Sequence, residues 1–267
     1  MTAQPVPEDL LVTGEITLLG RIMPASNHTY LCRLGSESGP EGRGVQAVYK
    51  PISGERPLWD FPEGTLAARE YAAWTVSEAL GWSVVPPTLL REGPAGPGMV
   101  QLWCEPDPEI EAVALLEQGP LQPGQLHVVD AYDDHDRPIM LVHEDSPALR
   151  RMAVFDLVVN NTDRKGGHVL AMTDGHRYGV DHGVCFHVDD KLRTVLWGFA
   201  GLPLDDAEVA GLTGLNAAFD DGLEEDLADL LTPDERWSTR RRIDRLLRAG
   251  RFPEPGPGWP SLPWPAF

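Results

Sequence analysis

Along Val45-Gln46-Ala47-Val48-Tyr49-Lys50-Pro51 apolar and polar residues alternate, and a period of two is that of a strand lying half in a core. The phase turns Val48 and Lys50 to one face, so the Lys50 ammonium is expected to point inward from a sheet. Upstream, apolar and β-branched residues from Leu18 to Leu34 flank a small polar tip at Ala25-Ser26-Asn27, which predicts a hairpin. Downstream, Pro86-Pro87-Thr88-Leu89-Leu90 and the run from Gly98 through Leu102-Trp103-Cys104-Glu105 read as two more strands about a Pro/Gly turn.

Elsewhere the period lengthens to that of a helix. Residues 64–81 carry Leu66, Ala73, Val76 and Leu80 on one face, with Thr65 as N-cap, Gly81 as stop and Glu70 in the early turns. Arg150 to Val159 predicts a second helix with Met152, Phe155 and Val159 together. Residues 205–231 alternate carboxylates with Leu, Val and Ala at helical spacing, and Arg236 to Arg248 forms a basic helix with Trp237, Ile243, Leu246 and Leu247 inward. Gly35 to Gly44 breaks the first hairpin, residues 51–63 form a loop, and residues 106–135 read as an acidic, solvated insertion. That insertion ends near Asp133-Asp134-His135-Asp136, a substrate or metal site being the alternative. The Pro-rich tail, residues 253–267 with Trp259, Trp264 and Phe267, either wraps over the body or serves as a partner motif. There is no internal repeat.

Charge narrows the classes of partner. Among 267 residues, 22 are Lys or Arg and 41 are Asp or Glu, a net charge of −19. That excess opposes nucleic acid and anionic membrane surfaces, both of which reward cationic patches. No apolar run is long enough to span a bilayer, and Met1-Thr2-Ala3-Gln4-Pro5 lacks the charged and apolar regions of a signal peptide, so a cytoplasmic protein without stable membrane binding is expected. The three cysteines, Cys32, Cys104 and Cys185, are scattered and lack metal-type spacing.

The chemistry concentrates in Asn160-Asn161-Thr162-Asp163-Arg164-Lys165-Gly166-Gly167-His168 and Gly179-Val180-Asp181-His182-Gly183. Two carboxylates on short loops after apolar segments suit phosphoryl transfer, where catalysis is mostly positioning and charge neutralisation. Asp163 would orient a hydroxyl nucleophile, kept ionised by Arg164 and Lys165, which could also meet a γ-phosphate. Asp181 would hold a metal, with His168 as second ligand; magnesium prefers oxygen donors, whereas nitrogen suits manganese better. A Lys50–Glu70 ion pair would aim the ammonium at the α- and β-phosphates. The amides around Ser26 and Asn27 could cover the phosphates, and backbone groups from Leu102 and Trp103 to Glu105 could contact an adenine. Single fragments have plainer readings: Asp-Arg pairs cap helices, Asp-His-Gly makes turns, and Trp103 with Cys104 packs. Asp156, Asn160 and Asn161 are expected to support the tight loop, and His182 and His187 to pack, His182 beside the metal. Lys191 and Arg193 either bind an anionic group or are solvated on a strand.

Lys50, Glu70, the Asn161-x-Asp163-Arg164-Lys165-x-x-His168 motif and Asp181-His182-Gly183 resemble, in kind and order, the phosphatidylinositol 3-/4-kinase-like branch of the protein-kinase-like superfamily, which is similar to the HipA-type and secretory-pathway kinases. Residues 155–186 with 191–197 look like an actinobacterial family described as phosphatidylinositol 3-/4-kinase-like, the similarity covering about residues 10 to 250. The resemblance implies an α+β fold of two lobes. Residues 1–105 would form a small β-rich N-lobe with one helix, residues 106–252 a mostly helical C-lobe, and residues 253–267 a tail. It also implies ATP, Mg2+ or Mn2+, and transfer to a hydroxyl of a protein or small molecule. Relatives often carry histidine or glycine at the place of Lys165, and asparagine or an acid at that of His168. A nucleotide-binding pseudokinase or scaffold is therefore one alternative, and a phosphoinositide-type lipid kinase the other.

Overall fold

The structure is a computed structural model describing residues 8–23, 25–35, 44–257 and 260–267. The start of the chain read for a leader, Pro24 in the hairpin, most of the 35–44 connection and Trp259 of the tail lie outside the described residues.

The fold is α+β. Helix α1 (Glu8–Thr13) precedes β1 (Ile16–Arg21), β2 (Tyr30–Leu34), β3 (Val45–Pro51), α2 (Leu66–Ala79), β4 (Thr88–Gly93) and β5 (Gly96–Leu102). The five strands form one antiparallel sheet in the order β1-β2-β3-β5-β4. Leu34 pairs with Val45, so the Gly/Ser/Glu stretch joins β2 to β3 and does not interrupt the first hairpin. Alternation in β3 buries Ala47 and Tyr49 with Leu11 of α1, Cys32, Leu34 and Val100, while Val48 and Lys50 face the other way into a cleft.

Helix α2 buries Leu66, Ala67, Ala72, Ala73 and Val76, and the last three join the main core. Its start differs from expectation. Thr65 makes no capping bond and donates to Pro62 O at 2.7 Å. The orphan amides of Leu66 and Ala67 are met instead by the Glu55 carboxylate, at 3.2 and 2.9 Å. Gly81 ends the helix in the left-handed region at φ 69°.

The expected solvated insertion is a sheet. Strands β6 (Val113–Glu117), β7 (Gln125–Tyr132) and β8 (Pro138–Glu144) pair antiparallel in the order β6-β8-β7. Val113 and Leu141 reach the main core, while Ala114, Met140 and Val142 pack together. Exposed carboxylates such as Glu117 and Asp130, and Pro/Gly turns between short strands, obscured the apolar runs at 113–116 and 139–142.

Helix α3 (Pro147–Val159) starts on Ser146, whose side chain accepts from Leu149 N, and ends at Asn160 with φ 54°. It buries Met152, Phe155 and Val159 together and delivers the loop that follows. Short strands β9 (Val169–Ala171) and β10 (Arg177–Gly179) lie between the two carboxylate loops. Helices α4 (Asp206–Ala218), α5 (Glu224–Asp226) and α6 (Pro233–Ala249) complete the helical part. Trp237 was expected inward but is 61% exposed, beside Arg241. The buried stripe of α6 runs Glu235, Thr239, Arg242, Ile243 and Leu246, and 100° per residue puts position 237 opposite it. Residues 191–194 are no solvated strand: Lys191 is buried, with its ammonium 2.9 Å from Asp60. The tail lies on the body, Ser261 O accepting from Thr194 N and from the Trp197 indole. No helix among the described residues is long and apolar enough to cross a membrane.

Candidate active site

The cleft between the five-stranded sheet and the loops after α3 and β10 holds a cavity of about 550 Å3. Ser26, Asn27, Lys50, Leu102, Trp103, Glu105, Asp163, Lys165, His168 and Asp181 all line it. A second cavity of about 380 Å3 shares Ser26, Asn27, Lys50, Asp163 and Asp181 with the first and extends past Arg56, Leu66 and Glu70.

Lys50 is the pivot. Its Nζ lies 2.6 Å from Glu70 Oε1 and 2.8 Å from Asp181 Oδ1. Burial works against its charge, but Asp181 and Glu70 outweigh that and hold its pKa above the ordinary lysine value. Lys50 in turn pulls the Asp181 carboxyl well below the usual carboxylate range, against the effect of burial. Glu70 is 2% exposed and its other oxygen accepts from His182 N at 2.8 Å, so one carboxylate ties the sheet's lysine to the Asp181 loop. Asp181 has φ 63°, a left-handed conformation unusual outside glycine, and Gly183 lets that loop approach α2: a Cβ there would sit 3.3 Å from Leu66 Cβ.

Asp163 and His168 share a backbone contact. His168 Nδ1 is 3.0 Å from Asp163 O. A carbonyl only accepts, so Nδ1 carries the proton and Nε2 presents a lone pair, 3.5 Å from Asp181 Oδ2. Burial lowers the His168 pKa, in keeping with a neutral ring. This is how a metal-ligating histidine is set, its second nitrogen fixed by a carbonyl. Among the described residues no group of three or more His, Cys, Asp or Glu could hold a metal ion. Asp181 Oδ2 and His168 Nε2 thus offer two donors, a set compatible with an ion that keeps water and phosphate oxygens as its other ligands.

With this geometry the chain can be set beside known proteins. It is 49% identical over 276 residues to Protein Rv2133c of Mycobacterium tuberculosis, covering 100% of this chain and 98% of that protein. The chain belongs to the family of Rv2133c. No family model matches it. The crystal structure of a Helicobacter pylori proinflammatory kinase, CtkA, aligns over 90% of this chain and 93% of that one, at 13% identity and a TM-score of 0.44.

In this member of the family two expectations need correction. Arg164, placed by its sequence neighbours beside a γ-phosphate, is completely buried behind the loop. Its guanidinium grips both oxygens of buried Asp156 at 2.9 Å, donates to His168 O and Val180 O at 3.1 Å, and donates to His182 Nε2 at 2.7 Å. Asp163 is therefore not held ionised by Arg164. Burial raises its pKa, partly offset by Lys165, whose Nζ is 3.3 Å away, and by His168. Of the expected adenine contacts, the amides of Leu102 and Trp103 are already taken by Pro87 O and Gln46 O.

The sequence reading missed the Asp156–Arg164–His182 cluster. Its signal was an aspartate inside the apolar run Met152-Ala153-Val154-Phe155-Asp156-Leu157-Val158-Val159, because a carboxylate buried there demands a cation. Glu55 as the cap of α2 left no such signal, since it acts across eleven residues of loop.

Proposed function

We propose that the protein is an ATP-dependent phosphotransferase built as two lobes, residues 1–105 and 106–252, with its nucleotide in the larger cavity. The observation that carries this reading is Lys50, held between Glu70 and Asp181 on the cleft wall opposite Asp163 and Lys165. Ser26 and Asn27 lie where a hairpin would cover phosphates, and the backbone at Cys104 and Glu105 where an adenine edge would lie. Lys50 steadies the α- and β-phosphates, and Lys165 approaches the γ-phosphate. A Mg2+ or Mn2+ ion held by Asp181 and His168 would supply charge neutralisation at the phosphates. Asp163 orients the acceptor hydroxyl and takes its proton. The acceptor enters through the second cavity, whose 380 Å3 suits a small molecule or a single protein side chain.

The test is purified protein with ATP and either metal, read as transfer or release of γ-phosphate. Asp163→Ala is expected to lower kcat by about 10²–10⁴-fold with an unchanged melting temperature. The second reading, a nucleotide-binding pseudokinase, is favoured by the sparse metal donors. It wins if ATP raises the melting temperature yet no phosphate leaves with either metal. A phosphoinositide-type lipid kinase has least support, because a charge of −19 opposes an anionic bilayer.

A further inference from the structure

The edge of the catalytic loop that faces the cleft is Lys165 and Gly167; Gly166 between them is buried and turned away. What it turns toward is the end of the tail. Gly166 N donates to Ala266 O at 2.8 Å. A Cβ on Gly166 would collide with the Phe267 ring at Cε1, so the phenyl ring occupies the place of a side chain at 166. A second anchor lies on the other flank of the loop. Ser261 O accepts from Thr194 N at 3.0 Å and from Trp197 Nε1 at 2.8 Å. That segment pairs in parallel with the loop, through Arg164 N to Arg193 O and Val195 N to Arg164 O. Leu262 and Ala266 pack on the main core, which fixes the tail itself. Neither Ala266 nor Phe267 lines either cavity, so the tail is a buttress and not a plug.

We infer that residues 260–267 form a strap that sets the position of the catalytic loop from behind, with Phe267 as a positioning residue for Lys165 and His168. The inference rests on the phosphotransferase reading for its effect on rate, and on geometry alone for its effect on the loop. Removing the ring leaves Gly166 without its packing partner, so the 165–168 edge moves relative to Asp163 and Asp181. Misplacement of that kind acts on the reacting geometry more than on nucleotide affinity.

The experiment compares wild type with Phe267→Ala, Phe267→Leu, Gly166→Ala and the double variant Gly166→Ala/Phe267→Ala in the full chain. Phe267→Ala is expected to lower kcat for phosphate release about tenfold with KM for ATP within about twofold, and Phe267→Leu to restore most of it. Gly166→Ala collides with the ring, so the double variant should be more active than Gly166→Ala alone, a coupling that independent sites would not show. Amide hydrogen exchange at residues 165–168 is read in parallel and should speed up in Phe267→Ala. If Phe267→Ala lowers only the melting temperature, with kcat and exchange at these amides unchanged, the strap is overturned. An inactive wild type sinks the phosphotransferase reading instead, and the exchange at residues 165–168 still decides the strap.

Discussion

Asp163 and Arg164 are adjacent in the chain and serve opposite ends. Arg164 is fully buried against Asp156, while Asp163 is 34% exposed on the cleft. The same division recurs across the cleft on α2. Arg69 is buried against Glu235 and Cys185 O, and its neighbour Glu70 reaches the cleft lysine and the Asp181 loop. In neither case does the opposite charge next door become the partner. Each arginine crosses to another element and fixes the backbone; each carboxylate is thereby presented to the cleft. The inner row holds the geometry and the outer row carries the charges that the proposed chemistry needs, so the two rows should fail in different ways.

The largest effect is expected from the inner row. Asp156→Ala strands a guanidinium that cannot lose its proton, and breaking a buried pair costs about 3–5 kcal/mol. A fall in melting temperature on the order of 10 °C should follow for a chain of this size. Asp163→Ala, seven residues further along the chain, should not lower the melting temperature, because burial already disfavours its charge. Equal melting temperatures for the two variants would erase the distinction between the rows.

How much of this was legible follows the same line. Sheet and helices were readable wherever one face is apolar throughout: the period of two in β3 placed Lys50 toward the cleft, and the helical period found α2 and α3. The outer row was readable too, because Lys50, Glu70, Asp163 and Asp181 are chemically conspicuous on short loops and element ends. Arg164 was misread because adjacency in sequence says nothing about direction, and a loop residue can turn either way. The β6–β8 sheet escaped because its apolar runs, residues 113–116 and 139–142, are short and set among acid- and Pro/Gly-rich connections. Trp237 escaped because a large apolar residue on a surface helix looks like core until the buried stripe is known to be Glu235, Thr239 and Arg242.

On the cleft side, Lys50→Met is the next step down. It removes one cation from between two carboxylates without emptying the core, since Glu70 keeps its bond from His182 N. A loss of about 10²–10³ in kcat is expected, the range for removing one group that stabilises developing charge. Stability should change with pH in a defined sense. The folded Asp181 pKa is depressed, so its contribution is present above the unfolded value near ~3.9 and lost as pH falls through the lower folded value. Lys50→Met should therefore lose stability relative to wild type at neutral pH and converge with it in strong acid. Divergence that grows toward low pH would contradict the pairing.

The smallest and most discriminating effect concerns Lys165. Burial raises the Asp163 pKa above the carboxylate norm, so the proposed base becomes ionised, and the expected activity should appear, at a higher pH than for an exposed aspartate. The sign for stability is the reverse of that for Asp181: the folded protein binds this proton more tightly than the unfolded chain, so ionising Asp163 costs stability as pH rises through the folded value. Lys165 offsets part of the shift from 3.3 Å away, and it is partly exposed, so the offset is modest. Lys165→Met should move the acid limb of the kcat profile upward by less than about one pH unit, a fraction of the shifts seen for fully buried groups. Arg164 faces away, which leaves His168 as the other group of the loop that lowers the Asp163 pKa. A limb that stays in place would mean that Asp163 is neutralised by some other cation, and the outer row would have to be redrawn around it.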